Sequence, residues 1–235
     1  MSADLREING LETEKTQFAI ILKIEGKAKV LSAESIKKHK AVIDEALFQG
    51  DKLITYADSK VLIELGDKSK LVLNENAELT LVDRETLRQG SGEVYYKIEK
   101  RANSQGLKVE TPFSIIGIKG TEFIVNSDEN GEIALNEGLI GVEALHAAFE
   151  LHKKKVMADY EAFKNKQMQE FEAYKAQAHE EVVTYVKAFD LQESKMLRFG
   201  DASDCEEDCE SKVNELDFTD ETKRRFKSYQ AMTQE

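Results

Sequence analysis

The stretch Lys60-Val-Leu-Ile-Glu-Leu-Gly66-Asp-Lys-Ser69-Lys-Leu-Val-Leu73 decides the fold class. Two short apolar runs rich in β-branched and aliphatic residues flank four turn-forming positions, which is the pattern of an antiparallel hairpin. The same rhythm repeats outward in both directions. Upstream lie Phe18-Ala-Ile-Ile-Leu-Lys-Ile24, ending at Gly26, and Lys52-Leu-Ile-Thr-Tyr56, ending at Ala57-Asp58. Downstream lie Glu78–Val82, Glu93–Ile98, Leu107–Thr111, Glu122–Val125, Glu132–Leu135 and Leu139–Val142. Turns spaced about 8 to 12 residues apart, without helical crossovers between most runs, predict an antiparallel sandwich or roll rather than a parallel sheet.

Composition separates this body from the rest of the chain. Of 13 glycines, all but Gly200 lie between Gly10 and Gly141, and the single proline is Pro112. Glycine supplies the positive-φ corners that tight turns need and weakens helices. The chain therefore divides into a β body over 1–142, a segment over 143–199 and an acidic break with short helices over 200–235. Within the body, Ala33 to Leu47 lacks Gly and Pro and is rich in helix formers, so it reads as a helical insertion. Its Lys37, Lys38, His39 and Lys40 form a basic cluster, either a solvated face or a docking site for an acidic partner.

Leu47-Phe-Gln-Gly50-Asp51-Lys-Leu53-Ile-Thr55, then Asp58-Ser59-Lys-Val61-Leu-Ile-Glu-Leu65, then Lys70-Leu71-Val-Leu73, resembles the opening of the FecR domain family. Leu87-Arg-Gln-Gly90, Val109-Glu-Thr111-Pro112, Gly120-Thr121-Glu-Phe123-Ile-Val125 and Asn136-Glu137-Gly138-Leu-Ile-Gly-Val142 continue it in the family's order, over roughly residues 24–142. The resemblance implies an extracytoplasmic all-β module of a bacterial envelope that acts by contacting other proteins. The family's best-known members relay the occupancy of an outer-membrane iron-chelate transporter to a sigma factor. They carry a cytoplasmic anti-sigma segment and a transmembrane helix ahead of the domain, and this chain shows neither. Independently of the family, Gly50-Asp51 and Gly66-Asp67 read as hairpin corners, Thr111-Pro112 as an edge or bend, and Gly120-Thr121 as a turn before a buried strand.

Beyond Gly141 a different period takes over. Leu145, Phe149, His152, Val156, Tyr160, Phe163, Gln167, Phe171, Tyr174, Ala178, Val182, Tyr185 and Phe189 succeed one another in steps of 4, 3 and 4. That is about 3.67 residues per step, an eleven-residue helical repeat. It predicts one long amphipathic helix from Glu143 to Phe199, on the order of 85 Å at the standard rise. Its stripe of Phe149, Tyr160, Phe163, Phe171, Tyr174, Tyr185 and Phe189 is the expected interaction surface, because exposed aromatic area is costly. The partner of that stripe is either a second copy, giving a homo-oligomer, or short C-terminal helices folding back. Asp217-Phe-Thr219-Asp220-Glu221 resembles a helix cap before Phe226, Tyr229 and Met232.

The chemistry of catalysis is not assembled anywhere in the sequence. His39, His146, His152 and His179 stand in no His-Glu-x-x-His arrangement, and His152 reads as a packed core histidine. Gly117-Ile-Lys-Gly120-Thr121 lacks the order of a phosphate-binding loop and leads into a strand. Cys205 and Cys209 lie in an acidic run from Asp201 to Glu210 and leave three outcomes open: a local disulfide, free thiols or part of a metal site. A disulfide is feasible if the segment is a loop and difficult across one helical turn. The net charge of −12 disfavours nucleic acid and anionic membrane surfaces as partners. No apolar run reaches the roughly 20 residues of a membrane span.

These readings converge on a non-catalytic envelope protein without cofactor or metal, periplasmic after loss of a leader, though the sequence leaves a cytoplasmic location open. It is expected to join a FecR-like protein-contact module to a helical assembly tail, as a structural subunit of an envelope machine. The alternative is a periplasmic signal-transduction module of the iron-uptake, sigma-regulator type.

Overall fold

The computed structural model describes residues 17–100, 106–128, 131–154, 181–201, 205 and 209–234. The Lys60–Leu73 hairpin is β6 (Lys60–Leu65) and β7 (Lys70–Leu73), paired antiparallel with Val61 opposite Leu73 and Glu64 opposite Lys70. At its corner Lys68 adopts φ 70°, and Ser69 N–H donates to Asp67 Oδ1 at 3.0 Å. Side chains alternate across the pleat. Val61, Ile63, Leu71 and Leu73 point into the main core, whereas Leu62 and Val72 point to the opposite face and are also buried. Burial on both faces explains why these strands read as continuous apolar runs rather than as alternating ones.

Among the described residues, twenty strands form two sheets. The body contributes β1 (Ala19–Glu25), β2 (Ala28–Leu31), β3 (His39–Lys40), β4 (Ala46–Leu47), β5 (Lys52–Thr55), β8 (Glu78–Asp83), β9 (Thr86–Ser91) and β10 (Glu93–Lys97). It continues with β11 (Leu107–Glu110), β12 (Ile115–Ile118), β13 (Glu122–Asn126), β14 (Glu132–Glu137) and β15 (Ile140–Glu143). The tail adds β16 (Phe149–Lys154), β17 (Glu181–Val186), β18 (Ala188–Leu191), β19 (Lys195–Phe199) and β20 (Lys212–Asp217), followed by a helix, α1 (Asp220–Gln234). The larger sheet runs β17-β16-β20-β19-β14-β13-β10-β7-β6-β1-β4 and the smaller one β18-β15-β12-β11-β9-β8-β5-β2-β3. Pairing is antiparallel except at β9–β11 and β16–β20. One contiguous core fills the space between the sheets, from Phe18 and Leu47 at one end to Phe149, Leu197 and Val213 at the other.

The corners obey local chemistry. Thr111-Pro112-Phe113-Ser114 closes the β11–β12 hairpin, with Ser114 N–H donating to Thr111 Oγ1 at 2.9 Å and Thr111 N–H to the Ser114 carbonyl at 2.9 Å. Gly120, at φ 66°, precedes the fully buried run of β13. Gly92 sits at φ 71° where a Cβ would meet the Ala77 backbone at 2.5 Å, so only glycine fits. Gly50-Asp51 is not a hairpin corner: it carries the chain from β4 in one sheet to β5 in the other.

Two expectations are overturned. The long helix expected from Glu143 to Phe199 is not formed where the structure describes that span: Phe149–Lys154, Glu181–Val186, Ala188–Leu191 and Lys195–Phe199 are strands β16 to β19, and the described residues are mostly β with one short helix near the C-terminal end. Glu181-Val-Val-Thr-Tyr-Val186 is a β-branched run, and β19 closes an edge of β14 that would otherwise be left without hydrogen-bond partners. The corner before β19 is made by Ser194 at φ 62°, so the lack of glycine does not mean a lack of turns. The returning segment after Gly200 is likewise strand β20 up to Asp217, and only then helix α1.

The insertion at Ala33–Leu47 is not helical either. Its backbone donors are taken by the sheets: Ala41 N–H by the Ala28 carbonyl at 3.0 Å and Asp44 N–H by the Ile21 carbonyl at 2.9 Å. Asp44 itself adopts φ 64°, which ends any helical run. Tertiary pairing has overridden local propensity here.

Candidate protein-contact surface

Three groupings could carry function. The first lies where α1 packs on the outer face of the larger sheet. Phe226, Tyr229 and Met232 cover Leu62, Val72, Tyr95, Ile124, Ala134 and Met196, and Tyr95 stacks on Tyr229 at 5.4 Å. The helix begins at a Thr219 cap, whose Oγ1 accepts from Thr222 N–H at 3.1 Å. Arg225 reaches back to Glu93 and, at 2.6 Å, to Glu132, while the Tyr229 hydroxyl donates to Glu93. Burial tends to lower the Arg225 pKa, but the Glu93 and Glu132 carboxylates hold it above its ordinary value. Tyr95 and Tyr229 are both pushed far above the usual tyrosine range, first by burial and then by the adjoining Glu122 and Glu93 carboxylates. A polar cleft of about 470 Å³ opens beside this junction, lined by Lys60, Asn74, Asn126 and Arg198 among others. Its carboxylates are neutralised by arginines, so the grouping fastens the helix and presents no reactive set.

The second grouping is the tail end of the larger sheet. Phe149 is fully buried and packs edge-to-face on Phe189 at 6.1 Å and Phe199 at 5.6 Å. Phe189 is partly buried against the core. Tyr185, on edge strand β17, is 40% exposed, and its hydroxyl donates to Glu150 at 3.1 Å. The aromatic stripe is therefore split: Phe149 is core, Tyr185 is a rim residue, and Phe189 lies between. Tyr160, Phe163, Phe171 and Tyr174 lie outside the described residues. His152 is buried, with Nε2 2.7 Å from Glu150 Oε1. Cys205 and Cys209 are joined as a disulfide in the connection between β19 and β20. Nothing local in the sequence marks Glu150, and only the sheet brings it to the cysteines.

The third grouping is the segment between β2 and β5, which closes one end of the sandwich. Ile36 is 100% exposed and Val42 and Ile43 each 54%. Large aliphatics exposed this close together in sequence make the segment a candidate contact surface. Lys37, Lys38 and Lys40 are exposed beside them, and none forms an ion pair among the described residues. The segment is braced rather than loose. Asp51 accepts from Ala33 N–H at 3.0 Å and Phe48 N–H at 2.9 Å, Glu45 accepts from Val42 N–H at 3.0 Å, and His39 Nε2 lies 2.6 Å from Glu45. The basic cluster is legible in sequence, whereas the apolar residues around it are expected there on a helix.

Residues 51–141 match the family model of the FecR protein. They are a FecR domain. The match falls inside the span over which the FecR-like motifs run, and covers β5 to β14 and the start of β15. Strands β1 to β4 extend the FecR domain's sheets at one end, and β16 to β20 extend them at the other. The exposed Ile36–Ile43 segment thus lies just outside the FecR domain, in the connections on either side of the short strand β3. Two crystal structures of a candidate anti-sigma factor from Parabacteroides distasonis ATCC 8503 are similar in fold, each with a TM-score of 0.46 at 10% identity. Each alignment covers 71% of this chain and 59% of that one, so the chain spans about three-fifths of those neighbours. No curated protein matches the chain. Among the described residues, no helix is long and apolar enough to cross a membrane.

Proposed function

We propose that this protein is a regulatory, non-enzymatic module that passes a signal on the extracytoplasmic side of a bacterial envelope by binding another protein. The observation that carries this reading is the FecR domain over residues 51–141, and the resemblance to that family implies action through protein contacts. Signal transduction is favoured over a structural subunit, because the described parts of the expected helical assembly tail are strands.

The contact surface is assigned to Ile36, Val42 and Ile43 with Lys37, Lys38 and Lys40. Aliphatic side chains supply the desolvated centre of an interface and the lysines a cationic rim. The occupant is an acidic protein segment with apolar anchors. Lys37, Lys38 and Lys40 stand together on a chain of net charge −12, so an acidic segment is attracted at short range to this surface rather than to the rest of the molecule. Site-specific photocrosslinking in the native host tests it. A photoreactive residue at position 36 or 42 is expected to trap one discrete acidic protein, and the same residue at Lys108, exposed on the smaller sheet, to trap none. Equal labelling from both positions, or capture of a second copy, would count against this surface.

A further inference from the structure

The disulfide loop lies against an unusual neighbour. One carboxylate oxygen of Glu150 and the sulfurs of Cys205 and Cys209 all lie within 4.8 Å of one another. Glu150 is fully buried, Cys209 is buried and Cys205 is partly exposed. The loop is held at this place by its own backbone. Glu210 N–H donates to the Ala148 carbonyl at 2.9 Å, Glu150 N–H to the Ser211 carbonyl at 3.1 Å, and Gly200 N–H to the Lys212 carbonyl at 2.7 Å. Glu210 in turn accepts from Leu145 N–H at 3.1 Å and His146 N–H at 2.7 Å. The Glu150 carboxylate is oriented from two sides, with His152 Nε2 2.7 Å from Oε1 and the Tyr185 hydroxyl 3.1 Å from Oε2.

A neutral disulfide makes no demand for a buried carboxylate, and burying one carries a desolvation cost. Two thiolates and a cation do make that demand. Carboxylate and thiolate together are a ligand set for a borderline-soft divalent ion, and an imidazole holding a ligating carboxylate is a common outer-shell arrangement. The geometry points to a redox-gated divalent-cation site, closed as the Cys205–Cys209 disulfide and opened by reduction, in which both thiolates and Glu150 bind zinc or a similar ion. A dithiol supplies two electrons and two protons: the Sγ–Sγ bond breaks, two thiols form, and the dithiol closes to its own disulfide. The cation then displaces both thiol protons to solvent and forms two metal–sulfur bonds. Glu150 is the third ligand, and water takes the fourth position on the partly exposed Cys205 side. Ligand atoms around tetrahedral zinc lie roughly 3.5 to 4 Å apart, so after reduction the two sulfurs part while the Glu150 carboxylate closes on them.

The test uses the full chain, oxidised or reduced with a phosphine that does not hold metal, titrated with cobalt(II). The reduced protein is expected to take up one ion per chain with a thiolate-to-cobalt charge-transfer band, and the oxidised protein none. Cys205→Ser is expected to weaken that band, and Glu150→Gln to lower affinity at least about tenfold. Because Glu150 is buried and its replacement could unfold the sheet end, X-ray absorption of the zinc-loaded, reduced wild-type chain provides a variant-free check. Two sulfurs and two lighter ligands are expected there. No charge-transfer band on reduction, fewer than two sulfurs, or unchanged affinity in a folded Glu150→Gln variant would overturn the proposal.

Discussion

Asp51 is a charged residue buried in a β protein, and its position explains why the family motif carries Gly-Asp at this point. One carboxylate oxygen accepts from Ala33 N–H and the other from Phe48 N–H, while its own carbonyl accepts from Leu81 N–H at 2.9 Å. It therefore ties the exposed Ile36–Ile43 segment to β8. Asp51→Ala leaves two backbone donors without their charged acceptor and is expected to cost about 3 kcal/mol, read as a lower urea midpoint. Tyr95 and Tyr229 supply a second prediction at this scale. Their folded pKa values are raised above the unfolded value near 10, so their stabilising contribution is complete below that pH. As pH climbs past 10 the unfolded chain releases protons that the folded chain retains, and stability falls. Denaturant melts from pH 8 to 11 should show this decline, and Tyr229→Phe should make it shallower.

Among the elements, α1 has the clearest energetic role. It covers an apolar face of the larger sheet, and Arg225 draws it onto Glu93 and Glu132. Arg225→Ala leaves Glu93 with the Tyr229 hydroxyl and Glu132 with Arg198 at 3.3 Å, and is expected to cost about 2 kcal/mol, whereas Glu132→Gln, which leaves the Arg225–Glu93 contact in place, should cost less; chemical denaturation separates the two. Truncation after Phe218 should expose Val72, Ile124 and Met196 and raise binding of a hydrophobic dye. The elements also show where sequence is readable. Strands of the body are legible because glycine corners and β-branched runs bound them. The tail reads as helix because the spacing of Phe149, His152, Tyr185 and Phe189 satisfies a helical period by coincidence, while turns at Ser194 and Asp44 adopt left-handed backbone without glycine. The α1 cap at Thr219 is legible, since hydroxyl and acidic residues there precede Phe226, Tyr229 and Met232 at helical spacing. Of the contact surface, the lysines are visible in sequence. The exposure of Ile36 and Val42 is not, because it depends on which backbone donors the sheets claim.

At the scale of the whole molecule, a FecR domain has been lengthened at both ends of its sheets and covered on one face by a helix. The chain's net charge is acidic, so Lys37, Lys38 and Lys40 act on an acidic partner only at short range. Replacing Lys37, Lys38 and Lys40 by glutamine should slow partner association and flatten its salt dependence, with little change in folding, as surface-binding kinetics would report. Regulation through protein contact is put to its sharpest test by comparing transcript profiles in the native host. Strains would lack this gene or carry it as wild type or as an Ile36→Asp, Val42→Asp variant shown to be folded. A discrete set of promoters is expected to change on deletion, to be restored by the wild type and not to be restored by the variant. Unchanged transcripts on deletion, or full restoration by the variant, would refute regulation through this surface.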